Sequence, residues 1–122
     1  MLRVGSVVLG VSDVPRTAAF WTEALGYVPR EEMADDRVVL VPAEGTGVQL
    51  SFDLSETPLQ EHPRIHLGLY AGDAADQAAE IERLVSLGAQ RVDRGLYPDD
   101  ADFVVPADLE GNRFCVIDTV HH

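Results

Sequence analysis

The sequence contains no lysine: all nine of its basic residues are arginines. That absence excludes Schiff-base catalysis and a phosphate-binding P-loop lysine. Cysteine occurs once, at Cys115, which excludes an internal disulfide and points to a reducing compartment. No apolar run approaches the length of a membrane span, and the first residues carry no secretory pattern. A cytoplasmic protein without a membrane partner is therefore expected. Positive charge is scarce as a whole, with 21 Asp and Glu leaving a formal charge of −12. A nucleic-acid partner is not expected, because neutralising phosphates requires a basic face. The acids cluster at Glu31 and Glu32, at Asp35 and Asp36, and at Asp99, Asp100 and Asp102. The plain reading of these clusters is solubility, and the sharper one is attraction of a cationic small molecule. There is no G-x-S-x-G elbow and no Walker motif, and Gly45 and Gly47 read as a hairpin turn.

What the chain does contain is a repeat. Val4 to Tyr27 reads as an apolar strand, an Asp13 cap and a helix closed by Leu25 and Gly26. Arg64 to Ala89 repeats that order, with Asp73 as cap and Leu87, Gly88 and Ala89 at the close. Ser6 corresponds to His66 and Asp13 to Asp73. An offset of roughly sixty residues is too long for a solenoid and suits a duplicated supersecondary module. Two such modules are expected, over residues 1–57 and 62–120, within one domain spanning 1–122.

Each module reads as strand, helix and three further strands. In the first, Val4 to Val11 is a strand, Pro15 sits in the first helical turn and Gly26 stops the helix. Tyr27 to Arg30, Arg37 to Pro42 and Gly47 to Asp53 follow as strands, and Leu54 to Pro63 connects the halves. In the second, Ile65 to Ala71, Gln90 to Val92, Phe103 to Val105 and Arg113 to Asp118 are the strands. Its helix runs from Ala74 to Leu87, with Ala74, Ala78, Ile81, Leu84 and Val85 as one packing face.

Strand alternation separates the faces. Val7, Leu9 and Val11, with Val48, Leu50 and Phe52, form aliphatic faces for the helices, as do Ile65, Leu67 and Leu69, with Phe114 and Val116. The opposite faces are small, mixed and polar, which suits a ligand cavity. Its expected lining is Ser6, Val8, Gln49, Ser51, His66, Tyr70, Phe103, Arg113 and Cys115. Tyr70 and Phe103 are cavity walls that offer a ring face to a flat or cationic ligand. Trp21 falls on the buried face of the first helix. Tyr97 and Pro98 read as a rim, and His121 and His122 are set aside as a native tail or an expression remnant.

Val8 to Asp13, Phe20 and Trp21 with Leu25 to Tyr27, Ile65 to Leu67, Leu87 to Ala89 and the turn from Asp108 to Phe114 stand in a particular order. In that order and spacing the chain resembles the vicinal oxygen chelate superfamily: glyoxalases, extradiol dioxygenases, fosfomycin-resistance enzymes and bleomycin-resistance proteins. The resemblance covers essentially the whole chain, with Leu109 where the family turn usually has proline. It implies an α+β fold in which two βαβββ modules form a curved mixed sheet around a cleft. It also implies a homodimer, the cleft completed within one chain or by exchange between two.

Metal-dependent members use His, Gln or Glu on the first, fourth, fifth and eighth strands, and those positions fall on Ser6, Gln49, His66 and Cys115. His66 matches, Gln49 stands where glutamate is common, and Ser6 and Cys115 replace the usual histidine and glutamate. A hard divalent ion wants imidazole and carboxylate, so the set reads as degenerate and no cofactor is expected. His66 has three readings: a ligand to a divalent metal, a general base with Asp53 on the same cavity face, or a polar group that hydrogen-bonds a ligand, Gln49 or water. Cys115 reads as a small buried residue, with a nucleophile as the alternative. Two functions follow from the resemblance. One is a metal-independent, bleomycin-resistance-type protein that sequesters a small molecule, a cationic one on the sharper reading of the acid clusters. The other is a metal-dependent lyase, isomerase or dioxygenase that uses His66 as its catalytic residue.

Overall fold

The computed structural model describes residues 1–60, 63–92 and 103–120. The rim expected at Tyr97 and Pro98, the acids at Asp99, Asp100 and Asp102, and His121 and His122 lie outside the described residues. The chain divides into two compact units, Met1–Pro58 and Leu59–His122.

The first unit runs β1 (Ser6–Val11), α1 (Val14–Leu25), β2 (Tyr27–Pro29), β3 (Arg37–Pro42) and β4 (Gln49–Leu54). The strands form one mixed sheet in the order β1-β4-β3-β2. The outer pair β1–β4 is parallel, while β2–β3 and β3–β4 are antiparallel. Helix α1 starts where expected: the Asp13 side chain accepts from the Arg16 backbone N–H at 3.1 Å, and proline occupies the first turn, where a missing N–H costs nothing. It stops at Gly26, whose φ of 69° is left-handed and whose N–H reaches the Thr22 carbonyl. Its buried residues Val14, Thr17, Ala18, Trp21 and Ala24 recur at helical spacing, with Phe20 beside them. Phe20 and Trp21 meet edge to face, ring centres 5.1 Å apart, the arrangement that ring quadrupoles favour. Val11, Val38, Leu40, Leu50 and Phe52 complete this core. The packing role expected for Trp21 holds, and Leu50 and Phe52 of β4 face inward as the alternation predicts.

The second unit runs β5 (Leu67–Tyr70), α2 (Ala74–Ser86), β6 (Gln90–Arg91), β7 (Phe103–Val104), β8 (Pro106–Ala107) and β9 (Phe114–Ile117). Its first and last strands are again parallel neighbours, so the duplication holds at the level of the ladder. Asp73 and Asp76 form a reciprocal capping box at the start of α2. Gln77 donates from its side-chain amide to the Val116 carbonyl at 2.9 Å, tying α2 to β9.

Several boundaries differ from the sequence reading. Strand β5 begins at Leu67, which leaves Ile65 81% exposed and not on a helix-facing row. Strands β1 and β4 begin at Ser6 and Gln49, so Val48 precedes its strand and stands exposed. The third strand of the second unit is split: β7 pairs with β9 and β8 with β6, because Pro106 brings no N–H to a ladder. Helix α2 buries only Ile81 and Leu84 within its length, while Ala74, Ala78 and Val85 are exposed. Methyl groups and one β-branched side chain contribute too little apolar area to pull a second stripe inward.

Candidate functional site

In the first unit, α1 covers one face of the sheet and leaves the other to polar and small side chains. Register fixes who meets whom: Ser6 pairs with Gln49 and Val8 with Ser51 across β1–β4, and Val39 pairs with Ser51 and Arg37 with Asp53 across β3–β4. Paired residues of neighbouring strands project from the same face. The sheet thus gathers Ser6, Val8, Gln49 and Ser51, four of the residues expected to line a cavity. Gly10 ends this row, where a Cβ would come within 2.8 Å of the Ser55 side chain.

The contacts on this face form three groups. The hydroxyls of Ser6 and Ser51 lie 3.4 Å apart, at the long end for a hydrogen bond. Arg30 donates from Nη1 to Gln49 Oε1 at 3.3 Å and stands 3.6 Å from the Glu31 carboxylate. Arg37 Nε lies 3.3 Å from Asp53 Oδ1. That last approach is ionic only, since Asp53 Oδ1 is shielded from solvent and lacks an aligned donor. Val8 is 58% exposed, whereas Ser51 is buried. Arginine at positions 30 and 37 is the feature that sequence reasoning missed; the signal lay in the parity of β3 and in the residue just after Pro29.

In the second unit, Gly68 pairs with Cys115 and Tyr70 with Ile117. Cys115 is buried and outside any disulfide, between buried Phe114 and Val116, as the packing reading of it expects. Tyr70 is exposed. His66 is exposed and sits one residue before β5, outside the strand centre where it was expected. Arg113 bridges to Ala107 just before β9, and Phe103 enters only as a backbone position in β7, opposite Ile117.

The two parallel ladders align the modules more finely than sequence alone. Val8 and Gly68 each stand two residues beyond Ser6 and His66, and they face Ser51 and Cys115 respectively. The counterpart of Cys115 in the first unit is therefore Ser51, and Gln49, assigned to that position from sequence, is held by Arg30 instead. Gln49 itself has Arg113 as its counterpart. The donors at these positions are two hydroxyls in the first unit and a thiol and an imidazole in the second, and neither set includes a carboxylate. They do not fit the hard divalent ion of the family's metal-dependent members. No group of three or more His, Cys, Asp or Glu with metal-binding geometry occurs among the described residues, and no helix there is long and apolar enough to cross a membrane.

Known folds match this arrangement closely. A glyoxalase/bleomycin resistance protein/dioxygenase family enzyme from Burkholderia phytofirmans superposes with a TM-score of 0.76 at 15% identity, covering 96% of this chain and 98% of that one. The genomically encoded fosfomycin resistance protein of Listeria monocytogenes gives 0.75 at 16% identity, covering 97% and 91%. Lactoylglutathione lyase from Agrobacterium tumefaciens gives 0.67 at 17% identity, covering 97% and 94%. No curated protein matches the chain significantly. The family model for the glyoxalase-like domain matches residues 6–117. With the duplicated α+β modules and their parallel outer ladders, that match makes the chain a member of the glyoxalase-like domain family, within the vicinal oxygen chelate superfamily.

Proposed function

We propose that this protein binds and sequesters a small molecule without a metal, in the manner of the family's drug-binding members. The observation that carries this reading is the donor set at the ligand-bearing positions. Ser6 and Ser51 supply hydroxyls close enough to contact each other, and Cys115 supplies a buried thiol. A serine hydroxyl is a poor substitute for carboxylate or imidazole toward Mn²⁺, Fe²⁺ or Mg²⁺. A small hydroxyl on a sheet face is, by contrast, well suited to hydrogen-bonding an organic ligand.

Metal analysis of protein purified without chelator tests the reading, together with melting curves in the presence and absence of EDTA. The expected result is substoichiometric metal and an unchanged Tm, since no metal free energy is linked to folding. One bound Ni, Zn, Mn or Fe per chain, with a Tm lowered by EDTA and restored by that ion alone, would replace sequestration with the His66-dependent enzyme.

A further inference from the structure

We infer that the open sheet face of the first unit takes an uncharged small molecule, with an apolar body and one hydrogen-bonding group, on the shelf formed by Ser6, Val8, Gln49 and Ser51. The inference rests on the sequestration reading and gives it a ligand class. Register places the four side chains on two successive same-face rungs of β1–β4. Such rungs stand about 7 Å apart along a strand, and the two strands about 5 Å apart, so the shelf matches one substituted aromatic ring. Val8 is its apolar part and is 58% exposed. Beyond Val8 the shelf is closed, because the Ser55 side chain stands over Gly10, within 2.8 Å of where a Cβ would be.

The polar end lies at the Ser6–Gln49 rung. Arg30 has only donors, so its 3.3 Å contact from Nη1 takes Oε1 of Gln49 as acceptor. That leaves the amide NH₂ to donate to a ligand carbonyl, beside the exposed hydroxyl-bearing Ser6.

Each arginine near the shelf already faces an acid. Arg37 Nε lies 3.3 Å from the Asp53 carboxylate, and Arg30 Nε lies 3.6 Å from that of Glu31. Both arginines also line a depression of about 340 Å³ together with Glu31, Glu32 and Asp36, and none of the four shelf residues belongs to it. An anion on the shelf would meet no uncommitted arginine, and a cation no carboxylate among the four. Either would lose hydration without gaining a counter-charge. A neutral ligand covers Val8 and loses only apolar hydration, which is favourable. The acid clusters that suggested a cationic ligand are screened over about 8 Å at physiological salt, so they affect only the approach.

The test uses isotopically labelled full-length protein at physiological salt, titrated with benzamide, benzoate and benzamidinium, which share a shape and differ in charge. The readouts are the Val8 methyl and Gln49 side-chain NH₂ resonances. Benzamide is expected to move both and to bind about tenfold more tightly than either ion. Val8→Thr, which keeps the shape and replaces a methyl by a hydroxyl, should weaken benzamide about fourfold. Asp53→Asn releases Arg37 and should strengthen benzoate about fivefold while leaving benzamide unchanged. Melting curves of both variants establish that they are folded. Equal or tighter binding of either ion overturns the inference, as does benzamide binding that ignores Val8→Thr, benzoate binding that ignores Asp53→Asn, or a null response to all three compounds. Those outcomes remove the ligand class and leave sequestration standing, whereas stoichiometric metal or turnover removes sequestration itself.

Discussion

The hydroxyls of Ser6 and Ser51 stand 3.4 Å apart across the parallel β1–β4 ladder. Ser51 is buried and Ser6 is exposed, so the contact gives the inner hydroxyl a partner at the rim of the sheet. Ser6 stands at a position where the resemblance implies a metal ligand in metal-dependent members, and here its hydroxyl contacts a second hydroxyl.

A double-mutant cycle on these serines should show coupling of about 0.5–1 kcal/mol. Ser6→Ala leaves the buried Ser51 hydroxyl without its partner, whereas removing both leaves no orphan. Urea unfolding of the four proteins provides the check. Additive effects would mean that the long contact contributes nothing to stability.

Gly26→Ala should cost about 1 kcal/mol, because a Cβ at φ 69° is strained whatever space surrounds it. No atom lies within 4 Å of a Cβ built there, so the loss would be conformational and not steric. Gly5→Ala, at a position that is equally open and without a positive φ, should stay within about 0.5 kcal/mol of the parent. Equal effects from the two would refute the helix-stop account of Gly26.

His66→Ala should fold as the parent does, with stability changed by no more than about 0.5 kcal/mol. The residue is exposed and precedes its strand, so truncation removes little packing. A loss above about 2 kcal/mol would give His66 a structural role. Unchanged folding with lost ligand binding would fit the polar-contact reading of this imidazole.

The features legible in the sequence were those set within a few residues. Asp13, Pro15 and Gly26 bracket α1 because caps and stops act through the adjacent turn. Asp73 does the same for α2, and the β3 span Arg37–Pro42 was readable as a strand between turns rich in Asp, Glu and Gly. Register was not legible, since it depends on a partner strand far along the chain. Counting along motifs therefore placed Gln49 where the ladder places Ser51. The same limit hid the contact between Arg30 and Gln49, which forms only when β2, β3 and β4 lie side by side. Cys115 reads as half of a mixed row in sequence, yet β9 is buried on successive residues, so parity there does not separate inside from outside.

In both units the first and last strands are parallel neighbours, and this orders the assembly of the protein in time. Joining strands separated by some forty residues carries a loop-closure cost of about 3 kcal/mol, while the antiparallel β2–β3 and β3–β4 pairs need only short turns. The local hairpins can form early, and the outer ladder has to wait for them. Ser6 meets Ser51, and Gly68 meets Cys115, only in that closing step. A partly folded chain would hold Arg30 beside Gln49 and yet lack the row that completes the face, so the face is finished only at the end of folding. Pulsed hydrogen exchange that protected the β1 amides before those of β3 would reverse this order.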